Sequence, residues 1–236
     1  FPGEAIARPE ARMGAGREIV SMMTQAMPKL LAIHPMDADE PDEEVMLTEH
    51  SFISAFNAYA NIPSYNTWLE KTDQTPVYNY LRRMLQFLQW QKRQRGVGAE
   101  RWVLKAPHHL LRMDILLNVF PGAKVIITHR DPLQSIPSIA SFIHTLWCIY
   151  SEQASAERAG HEWSELMQRA LTHATRVREQ SPAQFLDVQF RDTVKRPMDV
   201  VHDIYRWLKL DLPADAERAM RDWLAADEKA HQSGGH

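Results

Sequence analysis

The sequence predicts a helix-rich α/β fold in which a short central parallel sheet is flanked by many helices. Three observations carry this. Two short runs, Trp102–Leu104 and Val125–Thr128, are built of bulky or β-branched residues and read as buried strands. Between them, His109–Val119 places Leu110, Leu111, Met113, Leu116 and Leu117 at helical spacing, and Phe120-Pro121-Gly122 stops that helix. Most of the remaining chain repeats its apolar residues at the helical period. Strand, helix and strand within about thirty residues make a βαβ unit, right-handed in nearly all cases. Both strands then end at one edge of the sheet, where such sheets bind ligands.

Taken in order, residues 1–16 read as an irregular lead-in with Pro2, Pro9, Gly14 and Gly16, and Ile19–Leu31 as a helix. Ile33–Glu44 is a loop by composition, with Pro35, Pro41 and a run of acids that reads as solvated. Asp37, Asp39 and Asp42 lack the Gly and terminal Glu of a calcium loop, so no metal is expected. From Val45 to Arg95 the period is helical. Phe52, Phe56 and Tyr59 share one face; Ile62-Pro63 breaks the pattern, and Ser64 caps a short helix to Leu69. Thr75-Pro76 opens a longer helix whose face is Tyr80, Met84, Phe87, Leu88 and Trp90, aromatics expected in the core. Asp131-Pro132 opens the helix after the second strand, with Pro137 kinking it or delaying its start to Ser135. Ser155–Gln180 is a further helix and Phe185–Phe190 a third strand. Pro197 opens Met198–Leu208, and Ala214–Ala226 ends the order.

Bulk properties exclude several classes. At 236 residues the chain suits one domain, residues 1–236, with a mostly helical substrate-side region (1–100), a βαβ core (101–210) and a C-terminal helix and tail (211–236). A formal net charge of −3 gives no global support to a nucleic-acid partner. A single cysteine, Cys148, permits no internal disulfide and fits a reducing, cytoplasmic setting. No apolar run reaches the roughly 18–20 residues of a membrane span. The start at Phe1 shows no signal peptide and lacks Met, so a fragment or a processed form is expected.

The chemistry gathers at the strand ends. Lys105-Ala106-Pro107-His108-His109 follows the first strand, and Thr128-His129-Arg130-Asp131-Pro132 the second, with Ser135 and Ser138 beyond. Arg offers a planar fork matched to phosphate oxygens, Lys a compact charge, and helix N-termini attract anions. An anion site for a phosphate-bearing ligand follows. Adjacent histidines point in different directions, so His108 and His109 are not a chelating pair. His129 shapes the turn.

Leu-Lys-Ala-Pro-His-His-Leu, Phe-Pro-Gly-Ala-Lys-Val-Ile, and His-Arg-Asp-Pro followed by Ser138 together resemble the bacterial sulfotransferases that use 3′-phosphoadenylyl sulfate (PAPS). The resemblance covers about Ile33 to Trp223 and implies an architecture related to P-loop NTPases. It implies that Arg130 and Ser138 bind the 3′-phosphate of PAPS and that Lys105 lies near the sulfuryl group. It makes His109, and after it His108, the base that takes a proton from a hydroxyl or amine acceptor. No metal is implied. The acceptor is a small molecule, glycan or lipid, with Ile33–Leu69 forming much of its pocket. The family's Gly-rich 5′-phosphosulfate loop has no counterpart before Lys105, so truncation at the N-terminus and an inactive form are expected alternatives. A non-catalytic remnant or interaction module is a second class. A nucleotide-dependent kinase-like protein is a third, though it needs a Walker loop that the sequence lacks.

Overall fold

A computed structural model describes residues 9–27, 34, 36–98 and 100–233 of the chain. These fall into two compact units: residues 1–122 with 133–177, and residues 123–132 with 178–236.

The first unit is helical. Helix α1 (Pro9–Ala26) starts earlier than its apolar period suggested. The lead-in expected over residues 1–16 is therefore helical from Pro9, in spite of Gly14 and Gly16, each of which costs about 1 kcal/mol relative to Ala. The stretch 28–31, expected to prolong this helix, lies outside the described residues. Helix α2 (Val45–Thr48) is a single turn and continues into a 3₁₀ turn, Glu49–Ser51. Phe52 then caps that turn in the left-handed region, φ 57°, which leaves its ring 78% exposed. The helical face expected for Phe52, Phe56 and Tyr59 is thus broken at its first member, and Phe56 falls in a second short 3₁₀ turn. Helix α3 (Pro63–Lys71) begins at the proline itself, with Ile62 rather than Ser64 as its cap residue.

Helix α4 (Thr75–Gln94) starts where expected, with Pro76 in its first turn, where a missing N–H is harmless. Its buried face is Val77, Tyr78, Leu81 and Leu85. Phe87 and Trp90 instead stack on one another at the surface, 37% and 48% exposed. The apolar side chains of this helix thus fall on two stripes, and only one of them faces the interior. That one contains Tyr78, whose hydroxyl finds a buried partner.

Trp102–Leu104 forms no strand: it has no ladder partner, and Val103 is 94% exposed. The first strand of the expected βαβ unit is therefore absent. The helix expected from His109 is in two parts, a 3₁₀ segment Pro107–Arg112 and then α5 (Met113–Val119). Helix α6 (Pro132–Tyr150) passes through Pro137 without interruption, and α7 is Ala156–Gln180, with the Ser155 hydroxyl accepting the Arg158 N–H at 3.2 Å. Ile143, Leu146 and Trp147 of α6 form a core with Ala159 and Trp163 of α7. The small Ala159, Ala170 and Ala174 let neighbours approach α7 closely. Full burial of Leu81 and Ile143 contributes about 1.5–3 kcal/mol each. The Trp147 indole N–H donates to the Asn57 carbonyl at 3.0 Å, so that buried ring carries no unpaired donor.

The second unit holds the sheet. Strand β1 (Val125–His129) pairs in parallel with β2 (Phe185–Gln189), Val125 opposite Phe185 and His129 opposite Gln189. The parallel sheet of the expected fold is thus present, but the neighbour of β1 is the strand sixty residues later, not Trp102–Leu104. Helices α8 (Phe190–Lys195), α9 (Pro197–Leu208) and α10 (Ala214–Ser233) follow. Met198 and Val200 are the buried residues of α9, and Lys209 ends it in the left-handed conformation. Among the described residues no helix is long and apolar enough to cross a membrane.

Candidate active site

The acidic loop and the Lys-Ala-Pro-His-His segment meet in the first unit. Glu44, expected in a solvated run, is only 6% exposed. One of its carboxylate oxygens, Oε1, bonds His109 Nε2, while Oε2 accepts the backbone N–H of Lys105 at 3.0 Å. The neighbouring Glu43 pairs with Lys105 Nζ. Two adjacent acids therefore hold Lys105 and His109. Sequence reading missed them because an acid run in a Pro-rich loop has the composition of a solvated surface. Only the late, long-range contact with Lys105 and His109 gives Glu44 a reason to be inside.

His109 is 8% exposed and engaged at both ring nitrogens, since Nδ1 lies 2.9 Å from the Tyr78 hydroxyl. With Nε2–H donating to Glu44, Nδ1 is left to accept from Tyr78. Burial pushes the Glu44 carboxyl upward. The hydrogen bond and charge of His109, with the backbone N–H groups of Glu44 itself and Lys105, outweigh burial and hold it below the ordinary carboxylate range. Burial likewise raises the Tyr78 phenol well above its usual range, so it stays protonated.

His108 differs. Its ring lies 4.2 Å from that of His109, and its Nδ1 is enclosed without a hydrogen-bond partner. Burial, then the charge of His109, push its pKa down to about 3. The unfolded chain therefore binds more protons than the folded one between about pH 3 and 6.5. Stability is full above that window and lost as pH falls through it. Urea denaturation at pH 7 and pH 5 is expected to show this loss, up to about 1 kcal/mol per pH unit. His108→Leu should flatten the slope, and an unchanged slope would refute the buried neutral imidazole.

A cavity of about 1210 Å³ opens beside this cluster. Its wall is predominantly apolar, with Met23, Met27, Phe56 and Phe142, and includes Tyr78 and His108. Residues from His34 to Leu69 supply much of that wall. Its volume exceeds the roughly 300–1,000 Å³ typical of pockets for drug-sized ligands.

In the second unit, Arg130 follows β1, is exposed, and lies with its guanidinium carbon 4.8 Å from the centre of the Phe190 ring. It forms no ion pair among the described residues. His129 Nε2 lies 2.7 Å from Asp187 Oδ1, and Asp187 also pairs with Arg178, so His129 is committed to the sheet. Ser138 belongs to the first unit, exposed on α6. Lys105 is 76% exposed in its side chain in spite of Glu43. The structure thus brings Lys105, His108 and His109 together in one unit and leaves Arg130 and Ser138 exposed, each within its own. Among the described residues no group of three or more His, Cys, Asp or Glu side chains is arranged to hold a metal ion.

A family model described as "Sulfotransferase family" matches residues 4–214. The crystal structure of sulfotransferase STF9 from Mycobacterium avium superposes with a TM-score of 0.81 at 27% identity, covering 94% of this chain and 57% of that one. That of sulfotransferase STF1 from Mycobacterium tuberculosis H37Rv gives 0.68 at 30% identity, covering 85% and 56%. The chain therefore spans a little over half the length of each. No curated protein gives a significant match.

Proposed function

The chain belongs to the sulfotransferase family, and from that premise we propose that it acts in PAPS-dependent sulfuryl transfer to a hydroxyl or amine acceptor. The observation that carries this reading is the pairing of Glu43 and Glu44 with Lys105 and His109 beside a large apolar cavity. Arg130 is assigned to the 3′-phosphate, and Ser138 receives the same assignment from the family resemblance. Arg130 suits the role because its guanidinium is exposed, forms no ion pair among the described residues, and keeps its planar fork available beside Phe190.

Lys105 serves the leaving phosphate oxygen. Its ion pair with Glu43 is no obstacle, since an exposed pair is worth about 0–1 kcal/mol and exchanges readily for a phosphate oxygen. As the bond from sulfur to the leaving oxygen breaks, negative charge builds there, and a cation stabilises the transition state more than the ground state. His109 is the base. The Glu44 carboxylate holds it in one tautomer and stabilises the imidazolium that forms. His108 is the poorer base, because its enclosed Nδ1 resists charge. The acceptor occupies the cavity, whose apolar wall suits a small molecule or lipid with one reactive hydroxyl or amine.

The direct test is nucleotide binding. The 3′,5′-bisphosphate product is expected to raise the melting temperature of the protein, because a ligand bound only by the folded state must do so. Arg130→Ala should weaken that binding tenfold or more, equivalent to the roughly 1.5–3 kcal/mol of a charge-assisted hydrogen bond. Unchanged affinity in calorimetry removes the assignment. No shift with the bisphosphate would favour a non-catalytic role, and a shift with ATP alone a kinase-like one.

A further inference from the structure

Glu44, His109 and Tyr78 form a continuous line of three buried polar side chains, and only its last member reaches the cavity wall. His109 itself is not part of that wall. Buried polar side chains in an otherwise apolar setting are costly unless fully paired, and here every link is made: carboxylate to Nε2, Nδ1 to phenol. Tyr78 arises from the buried face of α4, between Val77 and Leu81, so its ring has little freedom to move.

We propose that Tyr78 relays the acceptor's proton from the cavity to His109, and that Glu44 is the positioning residue that keeps His109 Nδ1 free to receive it. This rests on the transferase reading above. In the step, the acceptor oxygen attacks sulfur as the bond from sulfur to the 5′-phosphate oxygen breaks. That phosphate oxygen keeps the electron pair, and Lys105 is the cation the proposed reading assigns to it. The acceptor's proton passes to Tyr78 Oη while Tyr78 gives its own proton to His109 Nδ1. The result is a sulfated acceptor, the bisphosphate nucleotide, a regenerated phenol and an imidazolium beside Glu44. Both protons move along hydrogen bonds, and the phenol never needs to exist as a free phenolate. That suits a group whose burial opposes ionisation.

Tyr78→Phe tests the relay, since it removes one oxygen atom and keeps the ring. It is expected to lower kcat about thirtyfold or more with a model phenol such as 4-octylphenol, while KM for PAPS and affinity for the bisphosphate stay unchanged. A purely packing role for Tyr78 would alter melting temperature without this split. Wild-type turnover in Tyr78→Phe overturns the relay.

A second measurement requires no turnover and no variant. Nitrogen-15 NMR of the wild-type imidazoles should show His109 protonated at Nε2 and hydrogen-bonded at a bare Nδ1. A proton resident on Nδ1 in the neutral ring overturns the assignment even if Tyr78→Phe fails to fold. Failure of the transferase reading has a different signature, namely wild-type protein that does not bind the bisphosphate.

Discussion

Glu44→Ala is expected to destabilise the first unit by about 3–5 kcal/mol, from buried donors left unpaired together with lost packing. The loss has three physical parts. His109 remains buried with an Nε2–H that has no acceptor, the Lys105 backbone N–H loses its partner, and a void replaces a side chain that was 6% exposed. Glu44→Gln should cost less, because the amide oxygen can still accept from Nε2–H. Glu43→Ala, which removes only the partner of an exposed lysine, should fall within about 1 kcal/mol of the wild type. Urea denaturation of the three variants gives the ranking directly, and equal stabilities for Glu43→Ala and Glu44→Ala would contradict the buried role. The pair also has a pH signature. A carboxyl held below its ordinary range contributes stability that is complete above the unfolded value, about 4.3, and is lost as pH falls through the lower folded value. Glu44→Gln should remove that part of the acid transition.

In the sulfuryl transfer proposed above, Lys105→Ala is expected to lower kcat by about a hundredfold to a thousandfold, comparable to removing one preorganised donor from a developing oxyanion. The effect belongs in kcat, because charge on the leaving oxygen grows only as the bond to sulfur breaks. Affinity for the acceptor should not move. The fold should not suffer either, since the Lys105 side chain is 76% exposed and Glu44 holds its backbone rather than its ammonium. Single-turnover assays with PAPS separate the chemical step from binding. A Lys105→Ala protein whose chemical step runs at the wild-type rate sinks the role given to this residue.

Part of the fold was legible in the residues, and the reason is local. Val125–Thr128 lies within β1, and Phe185–Gln189 of the run to Phe190 forms β2, Phe190 opening α8 instead. Proline marks the first turn of α4, α6 and α9, because its fixed φ and missing N–H suit that position alone. What failed was non-local. Trp102–Leu104 has the composition of a strand, but a strand needs a ladder partner, and composition cannot say that β1 pairs with β2 instead. The face of α4 differs from expectation because bulk aromatic content favours Phe87 and Trp90, whereas the interior selects the stripe holding Tyr78. Glu44 departs from the solvated loop its composition suggests for the same reason. A buried carboxylate is defined by the imidazole that meets it, sixty-five residues away in the chain.

The pairing of β1 with β2 also governs how the molecule is made. On the ribosome, β1 emerges with no strand to join, and both α6 and α7 must be synthesised before its partner appears. Closing so long a loop is entropically slow, so the sheet is expected among the last structures to form, after the local helices of the first unit. In the interval, β1 presents Ile126 and an unpaired backbone edge to its surroundings, the kind of exposed strand on which nascent chains aggregate. Yield of soluble protein is therefore expected to respond to substitutions in β1 more sharply than equilibrium stability does.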